Sequence, residues 1–394
     1  MTTGENSQIL PQIPRLSDAT LRDSAHMAGV EFNPRHARKI SQLLTSVGVE
    51  LVEVGMISGS NSADSRLIRE VHDAIGPERA MSLVMVRTKR QVEEALKEAK
   101  RLDVQTVMFS IPTSEEHAAL KLASGSAAFV MNLARHAIQT AKGHGMTVVF
   151  SGEDGARTED QRLRDYVASG FDAGGDRFRL AETVATLTPW QMEQKVRPLV
   201  DMDKGEVEIH SHNMLGMAVA NSIAACRAGA QWVSATVGGI GERGGNAPLA
   251  EVLATLSITY GIRRYDLTPL TDLTRIALAG SGLGNQFQSG PTTDHAFAYE
   301  LPGQLTHPTA YETLGPETVG NHRSLRVRTR ITPALVQVAL DRADTTLDID
   351  LSEFTAWLVE HQETNGRNEI DEHQIAELAR TYLTHTTLQE ATHV

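Results

Sequence analysis

The chain has 394 residues, 41% of them hydrophobic and 22% charged, a balance that suits a globular protein with one large domain and a smaller one. Its formal charge of −12 argues against nucleic acid as a partner, and leaves any anionic substrate to local arginines rather than to the overall field. The single cysteine, Cys226, excludes an internal disulfide framework and a cysteine-based zinc site.

The first residues, MTTGENSQILPQIP, lack a basic start followed by an apolar run, and no stretch has the length and apolarity of a membrane span. A cytoplasmic location away from membranes is the expectation. Strand-like apolar runs then alternate with helical patterns. The runs are Arg15–Thr20, Val49–Gly55, Ala80–Val86, Val104–Ile111, Met146–Ser151, Asp176–Glu182, Glu206–His210 and Gln231–Val237. Between the first two, Ile40, Leu43, Leu44 and Val47 follow helical spacing and stop at Gly48. Continuous apolar strands separated by helices indicate parallel strands covered by helices. Eight such units in about 250 residues match a closed (β/α)₈ TIM barrel, an α/β fold. A doubly wound open sheet would carry a glycine-rich phosphate fingerprint after its first strand, and TLRDSAHMAG is not one. The barrel is expected over residues 14–280. Past it, SGLGNQFQSGPTTDHAF reads as a linker, and 281–394 as that linker plus a small C-terminal helical appendage, a lid or dimerisation region at the barrel mouth.

Active sites of such barrels lie at the C-terminal ends of the strands. There the first run leads into Arg22, Asp23 and His26, the fifth into Glu153 and Arg157, the sixth into Glu182 and Thr183, and the seventh into His210 and His212. The eighth leads into the glycine-rich GERGGN loop. His210 and His212 are two apart, so an extended strand points both imidazoles to one side. Asp23 from the first strand completes a three-ligand set with open positions, suited to Zn, Mn, Fe, Co or Mg without distinguishing them. The plain alternative is a pair of core histidines. Arg22 beside a metal suits an oxyanion, or else an ion pair with Glu53 or Glu153. Arg157 and Thr183 look like carboxylate holders.

DATLRD at 18–23, FSGEDGAR at 150–157, HSHNMLGMAVANS at 210–222 and GGIGERGGNAPL at 238–249 resemble the homocitrate synthase/2-isopropylmalate synthase family, whose wider group includes hydroxymethylglutaryl-type lyases and hydroxy-oxoacid aldolases. The likeness covers about residues 14–260 and, more loosely, PTAYETLGPETVG at 308–320. It implies a Claisen condensation of acetyl-CoA with a 2-oxo acid, and hence an acyltransferase acting on small molecules as a homodimer. It implies Asp23, His210, His212 and Asn246 as ligands of a divalent metal. Arg22 would stabilise the carbonyl oxygen, and Arg157 and Thr183 would hold carboxylate. Acceptors under consideration are 2-oxoglutarate, oxaloacetate and a phosphono- or phosphinopyruvate, the last as in phosphonomethylmalate synthases.

Departures from the family pattern surround the acceptor. Its LRDGxQ is LRDSAH here, so His26 stands for glutamine and Ser24 for glycine. Met214 replaces an acidic residue, and DTVG becomes Glu182-Thr183-Val184-Ala185. Of two histidines normally preceding the TYE stretch, Tyr299 stands near one, with His295 and His307 nearby. The base is left open: His26 is a candidate for it or for binding the oxo acid, and Arg22, Glu153 and Tyr299 are the other catalytic candidates. His26 favours the runner-up, a metal-dependent hydroxy-oxoacid aldolase or lyase.

Overall fold

The computed structural model describes residues 10–59, 64–283, 297–312, 316, 322–328, 330–365 and 368–392. Eight parallel strands close in sequence order: β1 (Arg15–Leu21), β2 (Leu51–Ile57), β3 (Ala80–Met85), β4 (Thr106–Pro112), β5 (Thr147–Glu153), β6 (Arg177–Glu182), β7 (Glu206–Ser211) and β8 (Trp232–Ala235). Arg15 to Asp18 pair with Trp232 to Ala235, which closes the ring. The fold is a (β/α)₈ barrel.

Several strands end later than expected. β2 runs two residues further, to Ile57, and β5 and β7 reach Glu153 and Ser211. At β5 and β7 the added rim residues Glu153 and Ser211 are polar, so there the hydrophobic pattern stops before the hydrogen-bonded ladder does. β8 is shorter than expected, because Val237–Gly239 turns into a short 3₁₀ segment in which Gly238 has φ +63°. The helix at Pro34–Val47 begins where the Asn33 side chain accepts from the His36 N–H at 2.9 Å, with proline at its first position. It ends on Gly48 at φ +98°, a left-handed cap that glycine adopts without steric cost.

One apolar cluster fills the space between the strands and the surrounding helices, and Cys226 is buried in it. The lower barrel interior is ionic. Arg179 contacts Glu53, Glu208 and Ser17, and Arg177 lies 3.1 Å from Glu208 and stacks 3.8 Å over Trp232. These charges are paired with one another, the condition under which buried ions persist, although Arg179 Nε and Nη1 have no hydrogen-bond partner.

The C-terminal segment is not helical throughout. A small sheet joins β9 (Ala298–Tyr299), β10 (Ser324–Val327) and β11 (Ile370–Asp371) in the order β11-β10-β9. Their runs are two to four residues long, too short for alternation to reveal. Helices Pro333–Arg342, Leu351–Thr364 and Glu372–Thr392 accompany them, and Leu325, Phe354 and Ile375 centre a second apolar cluster that takes in Ala185 and Met214 of the barrel. The linker expected at 281–297 falls largely outside the described residues, as does His295. Among the described residues no helix is long and apolar enough to cross a membrane.

Candidate active site

A cavity of about 300 Å³ opens at the C-terminal ends of the strands. Arg22, Asp23, His26, Glu153, Thr183, His210 and His212 all line it. Leu301 to Gln304 and Tyr311 of the C-terminal segment reach its wall from above.

Asp23, His210 and His212 are buried, and one potential ligand atom from each lies within 4.8 Å of the others. The imidazoles stand nearly perpendicular, 5.1 Å between centroids. His210 Nδ1 faces Ser234 Oγ at 3.0 Å, and His212 Nδ1 faces the carbonyls of Glu242 and Gly245 at 3.2 and 3.3 Å. Two carbonyls accept a proton from His212 Nδ1, which leaves Nε2 as the lone-pair nitrogen. That is the tautomer a metal ligand needs. His210 Nε2 lies 3.8 Å from Asp23 Oδ2 and 3.3 Å from Asn246 Nδ2. Asn246 pairs with His212 through an isolated bridge, and Gly241 makes room for it: a Cβ there would sit 1.8 Å from Asn246 Oδ1.

Two buried oxygens in this group, Asp23 Oδ2 and Asn246 Oδ1, have no hydrogen-bond partner. An orphaned buried carboxylate oxygen is costly, and a cation removes the cost. The donor set, two imidazole nitrogens and two oxygens, therefore fits a divalent ion. Arg243 also approaches, with Nη2 at 2.6 Å from His212 Nε2 and Nη1 at 2.8 Å from Glu242.

Electrostatics follow from burial. Burial raises the Asp23 carboxyl, but Arg22 and the surrounding imidazoles outweigh it and hold Asp23 well below the carboxylate range. Burial pushes His210 down to about 4, and burial with Arg243 pushes His212 down to about 3. Both are neutral at pH 7. His26, half-buried beside Asp23, is likewise pushed down to about 4 by burial. Arg22 is held by Glu53, with Nε at 2.8 Å and Nη2 at 2.7 Å, and it also contacts Asp23. The ion pair weighed from sequence is present, with Glu53 as the partner. Glu53 itself is held at about 2, because Arg179 and Arg22 outweigh its burial.

The other candidates separate. Thr183 Oγ1 accepts the Asp154 N–H at 2.8 Å, so its own proton is free to donate into the cavity. Glu153 reaches the cavity, but Lys121 contacts it and His117 Nδ1 lies 2.8 Å away. Its burial is outweighed by Lys121 first, and the carboxyl stays far below its ordinary value. Arg157 is not brought to the cavity wall. Its guanidinium is taken by Asp154 at 2.9 Å and Glu116 at 3.2 Å. Tyr299 is also not on that wall; it is buried in the second apolar cluster, with its hydroxyl 3.2 Å from Glu312. Arg87, Lys121, Arg179 and Tyr311 line the cavity and were missed from sequence. For Arg179 the period-two spacing with Arg177 in RFRLAE was the available signal; Lys121, at the end of a seven-residue helix, offered none.

Residues 13–277, the whole barrel with its site, match the HMGL-like family. The chain belongs to the HMGL-like family. Among its relatives, the homocitrate synthase AksA of Methanopyrus kandleri is 35% identical over 324 residues, 80% of this chain and 79% of the relative. A probable 2-isopropylmalate synthase of Ignicoccus hospitalis is 33% identical over 327 residues, 82% and 80% of the two chains. The crystal structure of the HMG-CoA lyase from Brucella melitensis superposes with a TM-score of 0.60 at 16% identity, covering 69% of this chain and 99% of that one, a likeness of fold. Against the HMGL-like pattern, Ser24 donates its hydroxyl to the Ile240 carbonyl at 2.6 Å, tying β1's exit to the loop after β8. Met214 is buried in the second apolar cluster.

Proposed function

We propose that this HMGL-like enzyme is a divalent-metal-dependent acyltransferase that condenses acetyl-CoA with a 2-oxo acid, giving a 2-hydroxy-2-carboxymethyl acid and CoA. The observation that carries this reading is the Asp23–His210–His212 cluster at the strand ends, with its orphaned oxygens, in a chain whose relatives are named as synthases. Asp23, His210, His212 and Asn246 would hold the ion, which when bound supplies Lewis-acid polarisation of the acceptor ketone. A proton leaves the acetyl methyl, the resulting carbon bonds to the ketone carbon, and the ketone π pair moves to its oxygen. Arg22, aimed by Glu53, meets that oxygen as charge develops. Thr183 donates its free hydroxyl proton to the acceptor carboxylate. His26, neutral at pH 7 and on the cavity wall, is the proton acceptor. Glu153 is too strongly held by Lys121 to serve as that base, and it fixes Lys121 instead. Hydrolysis of the thioester then releases CoA.

The acceptor carries a second anionic group, as 2-oxoglutarate, oxaloacetate or a phosphonopyruvate does. A homodimer in the cytoplasm belongs to the same reading. The second reading, an aldolase or lyase, is favoured only by His26 at the cavity wall beside Asp23. Thiol release from acetyl-CoA, followed with a panel of 2-oxo acids, separates the two. The synthase releases one CoA per acceptor consumed, whereas cleavage of hydroxy-oxo acids without thiol release would establish the aldolase.

A further inference from the structure

The two ends of the cavity differ in charge. At the metal-ligand end and in the barrel interior beneath it the fixed charges cancel. Arg22 sits on Asp23 and Glu53, Arg179 on Glu53 and Glu208. Arg177 likewise faces Glu208, and Arg243 faces Glu242. Four guanidinium groups thus meet four carboxylates. A divalent ion there adds two positive charges, which the chelating end of an oxo acid reduces.

Across the mouth, beyond β3 and β4, the wall carries two cations against one anion. Arg87 follows β3, and Lys121 ends the helix Glu115–Lys121. Arg87 Nη1 donates to the Lys121 backbone carbonyl at 3.2 Å, which fixes both residues in one corner. Among the described residues no carboxylate lies within ion-pair distance of Arg87, while Lys121 contacts the Glu153 carboxylate and the Tyr311 side chain, whose ring centroid lies 5.0 Å away. An ammonium group has three donors; Glu153 and Tyr311 take two and leave one. Leu83, Met85 and Met108 give the wall an apolar stretch, beside the hydroxyls of Ser110 and Ser151. A cation excess at the far side of an apolar stretch calls for a counter-ion that arrives with an apolar stem.

We propose that Arg87 and Lys121 bind the distal anionic group of the oxo acid, so that the enzyme selects acceptors with two anionic ends joined by a short methylene stem. This rests on the condensation reading above and assigns its acceptor class. Methylenes lie along Leu83, Met85 and Met108, and the distal carboxylate or phosphonate takes the free N–H groups of Arg87 and Lys121. The phosphates of the coenzyme are the other anion source with this chemistry, and the test distinguishes them.

Thiol release is measured with pairs of equal carbon count: 2-oxoglutarate against 2-oxopentanoate, and oxaloacetate against 2-oxobutanoate. Calorimetric titration of each acid into the protein without acetyl-CoA accompanies it. The wild-type protein prefers the dianion in at least one pair. Arg87→Met lowers that preference by about 30-fold, about 2 kcal/mol at 1.4 kcal/mol per tenfold, the size of a hydrogen bond to a charged group. Lys121→Met acts in the same direction. A wild-type preference for the monoanion in both pairs overturns the proposal without needing any variant. So does a rise in KM for acetyl-CoA in Arg87→Met with the acid preference unmoved, which assigns the corner to coenzyme phosphates. Absence of thiol release with every acid overturns the condensation reading instead, and the titrations still decide between the acids.

Discussion

Glu53→Gln tests whether the buried ions beneath the site are a working support. Glu53 is 1% exposed and is shared: one oxygen takes Arg22 Nε and Nη2, the other takes Arg179. The substitution keeps shape and volume while removing the charge both guanidinium groups face. Its magnitude follows from the carboxyl, held at about 2 in the folded chain against 4.5 for an unperturbed glutamate. That difference corresponds to about 3 kcal/mol at 1.36 kcal/mol per pKa unit, within the range for breaking one side of a buried ion pair. Because the folded value is depressed, the contribution is present above about pH 4.5 and fades as pH falls through 2. Urea unfolding at pH 7 therefore shows a loss of about 3 kcal/mol, and the difference between variant and wild type narrows toward pH 3. The freed Arg22 also loses its aim, so kcat falls with it. A loss below 1 kcal/mol at pH 7, or one independent of pH, would refute this reasoning.

Two further substitutions probe separate parts of the account. Burial raises Glu182 to about 7, so its contribution is full below about pH 4.5 and is lost as pH rises through 7. Glu182→Gln removes this dependence of about 3 kcal/mol, and the variant gains stability over wild type between pH 6 and 8 by thermal unfolding; parallel pH profiles would show that Glu182 does not titrate there. The Asn221 amide, 2.9 Å from Glu182 Oε2, can present its unpartnered Oδ1 to the new amide. His26→Gln lowers kcat about 100-fold if His26 accepts the methyl proton, the usual scale of general-base catalysis; wild-type kcat in the variant would exclude that role.

The barrel was legible because apolar strand-like runs recur eight times between helical patterns, even where charged residues interrupt them as in β6 and β7. His210, His212 and Asp23 were legible because spacing on a strand and position after a strand are local facts. What was not legible is tertiary. Arg157 follows β5 as a carboxylate holder would, yet Asp154, three residues earlier with φ +57°, turns to take its guanidinium. Tyr299 belongs to a two-residue strand whose direction depends on β10, 25 residues later, so its burial away from the cavity had no local signal. Arg87 and Lys121 meet only because β3 and the helix after β4 converge at one corner of the mouth.

The most direct measurement titrates metal and activity together. The purified protein is stripped with chelator, and Mn²⁺, Co²⁺, Zn²⁺ or Mg²⁺ is added back in increments while bound metal and thiol release from acetyl-CoA plus a 2-oxo acid are followed. Thiol release is predicted to rise in step with binding, to saturate at one ion per chain, and to vanish with the bound ion in Asp23→Asn and His212→Ala. Full thiol release from protein shown to be free of metal, or undiminished metal binding in both variants, would contradict the account.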